Sequence, residues 1–476
     1  MPEKIYDAVV VGSGANGLAS AIRLAQRGLS VVVLEANDTV GGCVRSAELT
    51  LPGFVHDICS AVHPLAIASP FFKTLPLQAH GLDWIHPTAP LAHPLDGGEA
   101  VFLRQSLQDT ARDLQEDASA YEELFAPLVR RWEALKYEIL QPAIHIPKHP
   151  IAATRFALRA LQSAKSLATR HFKSARARAL FAGLAAHSFL PLESAGSAAF
   201  GLVLGMAGHA EGWPSPQGGA QQLTNALASY FRSLGGEIQV GRRIRGVGEL
   251  PPAKAILLDL TVWQAAAICK DRFPVRYRSH LEQFPAGPAV FKIDYALSQP
   301  IPWRAPECLR AGTVHLGGTF EEVQASEHQV AKGAIPAQPF VLLAQPSLFD
   351  TCRAPPGKHT AWAYCHVPLR STVDMTGWIE RQIERFAPGF RDCVLARATA
   401  NCAKLEFKNA NLAGGSINGG AMDLWHLLAR PVLSRCPYRT PARGIYLCSS
   451  STPPGGGVHG MCGFHAAEAA LDDIFS

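Results

Sequence analysis

The sequence predicts an α/β protein in which a Rossmann-like dinucleotide-binding domain is interrupted by an α+β substrate domain, and three observations carry that prediction. A short apolar run over residues 6–12 leads straight into "GSGANG". Helix and strand patterns of the same type return over residues 223–258. The stretches between and after them differ in kind, helical over 121–140 and 155–186 and strand-like beyond Pro285. The nucleotide domain is therefore expected in three pieces, residues 1–75, 210–275 and 411–476. The substrate domain takes residues 76–209, mostly helical, and 276–410, a mixed sheet.

Each element has its own reason. Residues 6–12 are almost all apolar, the mark of a parallel strand buried on both faces. A helix over 15–27 closes at Gly28, and "LSVVVLE" is a second buried strand ending at Glu35. Leu223, Ala226, Leu227, Tyr230, Phe231 and Leu234 fall on one helical face that stops at Gly235 and Gly236. "EIQVG" and "AKAILLDL" then read as strands. So do "AVFKIDYAL", "GTVHLGG", "PFVLLAQP" and "HTAWAYCHV" in the second sheet.

Composition excludes several classes. A chain of 476 residues exceeds one ordinary core, and 48% hydrophobic against 17% charged residues excludes disorder. A net charge of +5 is too small to imply a nucleic-acid partner. The 11 cysteines are scattered without a Cys-x-x-Cys pair, which favours reduced thiols in the cytoplasm over a zinc ribbon or a redox disulfide. No secretory leader and no apolar run of ~20 residues is visible, so the chain is expected to be soluble or held at a membrane surface.

The chemistry begins at "VVVGSGANGLASA". Gly12, Gly14 and Gly17 stand in the G-x-G-x-x-G spacing between a strand and a helix, where a tight turn and free helix N–H groups meet a pyrophosphate. Glu35 ends the next strand at the offset where a carboxylate accepts from an adenosine ribose, and it would repel the extra phosphate of NADP. "VGGCVRS" adds Gly41, Gly42 and Arg45. At the other end, "STPPGGGVHGMCGFHAAEAAL" pours a glycine-rich loop into a helix expected to start near Val458.

This order of motifs resembles the flavin-containing amine oxidase superfamily and, within it, the phytoene desaturase-related oxidoreductases. "GWPSPQGGAQQL", "GKHTAWAYCHVP" and "NLAGGSINGGAMDLWHLLARP" are similar to the subgroup named after pyridine nucleotide-disulfide oxidoreductase domain-containing protein 2. The resemblance implies an FAD-binding domain, with FAD held non-covalently in extended form. It implies cofactor contacts from Gly12, Ser13, Gly14, Ala15, Asn16, Gly17, Glu35, Ala36, Gly41, Gly42, Arg45, Ile244, Ser450, Gly456, Gly457 and Val458. The C-terminal helix would then point its positive end at the flavin ring. The chain departs from its relatives at Cys43, where they often carry Arg, and at Ser449, Ser451 and Pro453.

Catalysis by a flavin asks the protein to orient substrate and exclude water, and no Ser-His-Asp or metal-ligand spacing appears. His459 is the candidate polar group at the ring face, ahead of His63, His187 and His366. The expected substrate is a large apolar molecule, polyunsaturated and carotenoid-, retinoid- or lipid-like, and desaturation, saturation and isomerisation fit equally. Without a second glycine-rich nucleotide unit, a quinone or oxygen is the expected electron acceptor. The alternatives are a flavin amine oxidase and a non-catalytic lipid carrier of the Rab GDP-dissociation-inhibitor type.

One charge concentration stands out, Arg155, Arg159, Lys165, Arg170, Lys173, Arg176 and Arg178. Read as one helix, all but Arg178 fall within an arc of about 140°. Such a face fits either a solvated surface or docking on an anionic membrane.

Overall fold

The computed structural model describes residues 4–476. A five-stranded parallel sheet runs in the spatial order Ile445–Leu447, Ala253–Leu258, Tyr6–Val11, Val31–Leu34, Glu237–Gln239. Its strands come from three distant stretches of chain. Alternation along the first strand explains its apolar run: Ala8 and Val10 enter a core with Leu18, Ile22, Leu227 and Phe231, whereas Val9 and Val11 enter another with Val262, Ala265 and Leu447. Helices Ala15–Ala25, Gln221–Ser233 and Met461–Ala470 supply the first core.

The second sheet has seven strands, in the order Val394–Ala400, Ala289–Leu297, His359–Val367, Val341–Ala344, Ala311–Leu316, Ala89–Pro94, Ala100–Leu103. Only Ala311–Leu316 against Ala89–Pro94 is parallel. The helices of residues 118–210 cover one side of it around their own apolar core.

Two expectations are corrected. The C-terminal helix starts at Met461, because Gly460 takes φ +70° and the His459 Nδ1 accepts the Met461 N–H at 3.0 Å, keeping Val458 in the loop. The basic stretch is three helices, Pro150–Ala160, Ala164–His171 and Ala175–Ala186, broken where Ser163 and Ser174 cap the second and third through Ser166 N–H and Ala177 N–H. The single charged arc therefore does not exist. Arg176 pairs with Glu99, and Arg178 donates to the Phe172 carbonyl at 2.9 Å.

Candidate functional site

A cavity of about 950 Å³ joins the two sheets. At one end it is lined by Gly12, Ser13, Gly14, Ala15 and Asn16, with Glu35, Ala36, Gly41, Gly42, Arg242 and Ile244 beside them. The two glycine turns touch, since a Cβ on Gly42 would come 3.2 Å from the Gly14 Cα. Gly17 lies behind the wall, where a Cβ would meet the Gly12 carbonyl at 2.2 Å, so its role is the packing of helix on strand.

Glu35 is held by four donors, Ser13 N–H at 3.0 Å, Ser13 Oγ at 2.5 Å, Asn37 N–H at 2.9 Å and Asn37 Nδ2 at 2.8 Å. A ribose hydroxyl reaching this carboxylate must displace one of the side-chain donors. Beneath the loop lies Asp259, which the sequence reading missed. Its Oδ2 accepts Gly17 N–H at 3.0 Å and sits 2.6 Å from where a Gly14 Cβ would be. Burial, with the Glu35 charge added, raises its carboxyl to about 7.

Arg45 stands behind the second glycine turn. Its guanidinium donates to the carbonyls of Gly42 at 2.9 Å and Lys408 at 3.3 Å, so it braces the glycine pair from behind and does not line the cavity. Arg430 does the same for the final loop, donating to the carbonyls of Ser450 at 2.9 Å and Ala421 at 2.8 Å, and its burial brings it down to about 10.

In that loop Ser450, Gly456, Gly457, Val458 and His459 line the cavity. Because His459 Nδ1 accepts from Met461, its Nε2 carries the proton, and that N–H is buried without a partner. Burial lowers the imidazole to about 4, so His459 offers a neutral donor. The first turn of the helix that follows packs against the helix opened by Ala15, where a Cβ on Gly463 would fall 1.8 Å from the Asn16 carbonyl. That helix end therefore lies beside the glycine loop of residues 12–17.

Cys43 and Cys59 also line the cavity, Cys43 Sγ accepts from Asn409 Nδ2 at 3.1 Å, and the neighbouring Cys59 thiol together with burial pushes Cys43 well up. No sequence spacing announced them. They meet because Ser46–Glu48 and Val55–Asp57 form a hairpin whose register continues to Ser60 N–H on the Cys43 carbonyl.

Farther in, the wall is the second sheet. Register places Thr313, Ala344, Trp362 and Asp294 in one row and His315, Leu342, Tyr364 and Lys292 in the next. Lys292 pairs with Asp294, and both are buried. Phe189, Phe200, Val203, Leu204 and Trp213 also line the chamber, together with His187. His63 lines the cavity and is bonded to Ser60 Oγ at 2.9 Å, whereas His366 lies under Phe189, paired to Glu327 at 2.7 Å. The cavity reaches the surface at Leu161 and Leu428, lining residues that are 55% and 46% exposed.

Comparison with known proteins matches the model of the NAD(P)-binding Rossmann-like domain over residues 10–73. Over nearly its whole length the chain is similar to pyridine nucleotide-disulfide oxidoreductase domain-containing protein 2 of Mus musculus, 28% identical across 98% of this chain and 94% of that protein. It is also similar to a lycopene-forming phytoene desaturase of Pseudescherichia vulneris, 23% identical across 97% of this chain and 98% of that one. An oxidoreductase from Methanosarcina mazei shares the fold, with TM-score 0.67 and 16% identity over 98% of this chain and 99% of the other. The resemblance to phytoene desaturase-related oxidoreductases read from the motifs thus extends along the chain.

Proposed function

We propose that this chain is an FAD-dependent oxidoreductase acting on a large apolar molecule. The observation that carries the reading is one continuous cavity with a main-chain cradle at one end and an apolar chamber at the other. The walls suit the cofactor. The glycine turns leave no room for a Cβ, and Asn16 Oδ1 and His459 Nε2 are buried without partners. Glu35, Ala36 and Ile244 would hold the adenosine, Gly14, Ala15 and Asn16 the pyrophosphate, and Gly42, Gly456 and Gly457 the flavin. When bound, the flavin supplies a two-electron carrier that exchanges a hydride with substrate.

The chain's own contribution is to bind, orient and keep dry. Phe189, Phe200, Val203 and Leu204 exclude water from the chamber, and His459 gives a fixed N–H donor beside the glycine loop. An apolar substrate needs a route from a lipid phase. At the cavity mouth, Ile151, Leu158 and Leu161 are exposed on and just after helix Pro150–Ala160 among Arg155 and Arg159, and Trp425 and Leu428 face solvent close by. Leu424 ties the two rims together, since it fills the space beside Gly196, whose N–H bonds the Leu161 carbonyl at 3.1 Å. Among the described residues no helix is long and apolar enough to cross a membrane, so this collar would rest on an anionic lipid surface.

An amine oxidase reading draws on one observation, the edge-to-face pair of Trp362 and Tyr364 with centroids 5.2 Å apart. The Lys292 ammonium on the same sheet face, 5.7 Å from the Trp362 ring centroid, would disfavour a cationic amine there. The deciding experiment is the spectrum of the purified protein. A flavin spectrum that persists through desalting, and that bleaches anaerobically with an apolar polyene but not with a primary amine, is expected. Protein that stays colourless after incubation with FAD would reduce the chain to a carrier.

A further inference from the structure

The chamber is apolar but not featureless, and the polar atoms left over in its wall have a direction. Helix Ala175–Ala186 packs so tightly on the second sheet that a Cβ on Gly183 would lie 2.5 Å from His315 Nδ1 and 3.1 Å from His93 Nδ1. Both nitrogens are buried without a partner. The residue that ends this helix, His187, sets its Nε2 3.0 Å from His315 Nε2 and lines the cavity.

The proton positions follow from hydrogen-bond chemistry. Burial keeps all three rings neutral, with His187 at about 3, His93 at about 4 and His315 well below its ordinary value. His93 Nε2 lies 2.7 Å from the Gly318 carbonyl, which only accepts, so that nitrogen carries the proton and His93 Nδ1 is bare. His187 and His315 share one proton between their Nε2 atoms. If His315 supplied it, its bare Nδ1 would face the bare Nδ1 of His93 across Gly183, two lone pairs in a dry interior. If His187 supplies it, the His315 Nδ1–H is directed into the space shared with the His93 lone pair. The second arrangement is electrostatically favoured, and it leaves His187 Nδ1 as a bare acceptor.

We infer that the chamber contains a hydroxyl subsite, in which His187 Nδ1 accepts a hydrogen bond from an O–H of the substrate. The substrate class is then an apolar molecule carrying an alcohol, as distinct from a pure hydrocarbon. Thr313 supports this independently. It stands two residues before His315 on the same strand face, lines the cavity, is 1% exposed, and keeps its hydroxyl unpaired. A hydrocarbon would leave both groups unmet, whereas the O–H of an alcohol satisfies the acceptor. His315 acts through His187, fixing its tautomer, and is a positioning residue.

The inference rests on the apolar-chamber reading, and one experiment separates the two. The purified protein is loaded with the fluorescent apolar reporter N-phenyl-1-naphthylamine, which is then displaced with 1-dodecanol or with its isomer methyl undecyl ether. The isomers hold the same atoms, but the ether has no O–H and is less well hydrated, so a featureless apolar chamber favours the ether. The subsite predicts displacement about tenfold tighter by the alcohol, a preference that disappears in His187→Phe and shrinks in His315→Phe. Equal or weaker displacement by the alcohol in the wild-type protein overturns the subsite, even if neither variant folds. A preference retained in folded His187→Phe also overturns it. A reporter that does not bind refutes the apolar chamber itself, and the subsite with it.

Discussion

At its glycine end the cavity wall is main chain, and at its far end it is side chain. Gly12, Gly14 and Gly42 present bare backbone, and the side chains nearest to them, Glu35, Asp259 and Arg45, each bond to that backbone and help to hold it in place. The far end is a mosaic in which Thr313, Trp362, Leu342 and Tyr364 come from three strands and His187 from a helix end. The difference is one of tolerance. A main-chain site fails when any Cβ is added, whereas a side-chain site can exchange residues and alter what it accepts.

The sharpest test of this contrast is Gly14→Val. Its Cβ would push into the Asp259 carboxylate, which is pinned by Gly17 N–H, and disorder the turn. Loss of nearly all bound FAD is expected, measured as flavin released per chain, while N-phenyl-1-naphthylamine still binds the chamber. Loss of both would show that the two ends form one cooperative unit.

Next in size is Asp259 itself. Its carboxyl at about 7 lies above its ordinary 3.8, so the buried acid keeps a proton that the unfolded chain gives up. The sign follows: its stabilising contribution is full below pH 4, falls as pH rises, and is lost above 7. Cofactor-free protein is expected to lose up to ~4 kcal/mol from this group across that window. In Asp259→Asn that component is absent, and stability from pH 5 to pH 8, which covers about two of those pKa units, should be flatter by ~3 kcal/mol. Parallel curves for the two proteins would remove Asp259 as the source.

The smallest effect concerns the rim. Leu158, 66% exposed, is expected to enter the lipid boundary, so Leu158→Glu should weaken binding to anionic vesicles roughly tenfold. Arg155→Ala should cost about fivefold, from ~1 kcal/mol per basic residue near such a surface. Arg176→Ala should change nothing, because Arg176 is committed to Glu99. Equal losses from Arg155 and Arg176 would restore the continuous basic face that the three helices break up.

The same contrast governs what could be read in advance. The cradle was legible because Gly12, Gly14, Gly17 and Glu35 are close in sequence and each has a backbone reason to be there. Strands Ala289–Leu297 and His359–Val367 were legible by their apolar runs. The His93, His187 and His315 cluster was not, because sheet register and one glycine bring together three separate stretches. Asp259 was hidden as a single acid at the end of a strand. The basic stretch misled because wheel arithmetic assumes an unbroken helix, whereas Ser163 and Ser174 cap two new ones.

The parallel sheet has a consequence for how the chain is made. Its central strand, Tyr6–Val11, leaves a ribosome long before the edge strand Ile445–Leu447 and the helix Met461–Ala470. Until they arrive, the strand Ala253–Leu258 has an open edge, and the helix Ala15–Ala25 lacks the partner that seats Gly463 against Asn16. Pairings this distant close slowly and leave apolar surface uncovered throughout synthesis. Chains interrupted before residue 445 should therefore associate with chaperones or aggregate, and full-length yield should rise when translation is slowed by cooling.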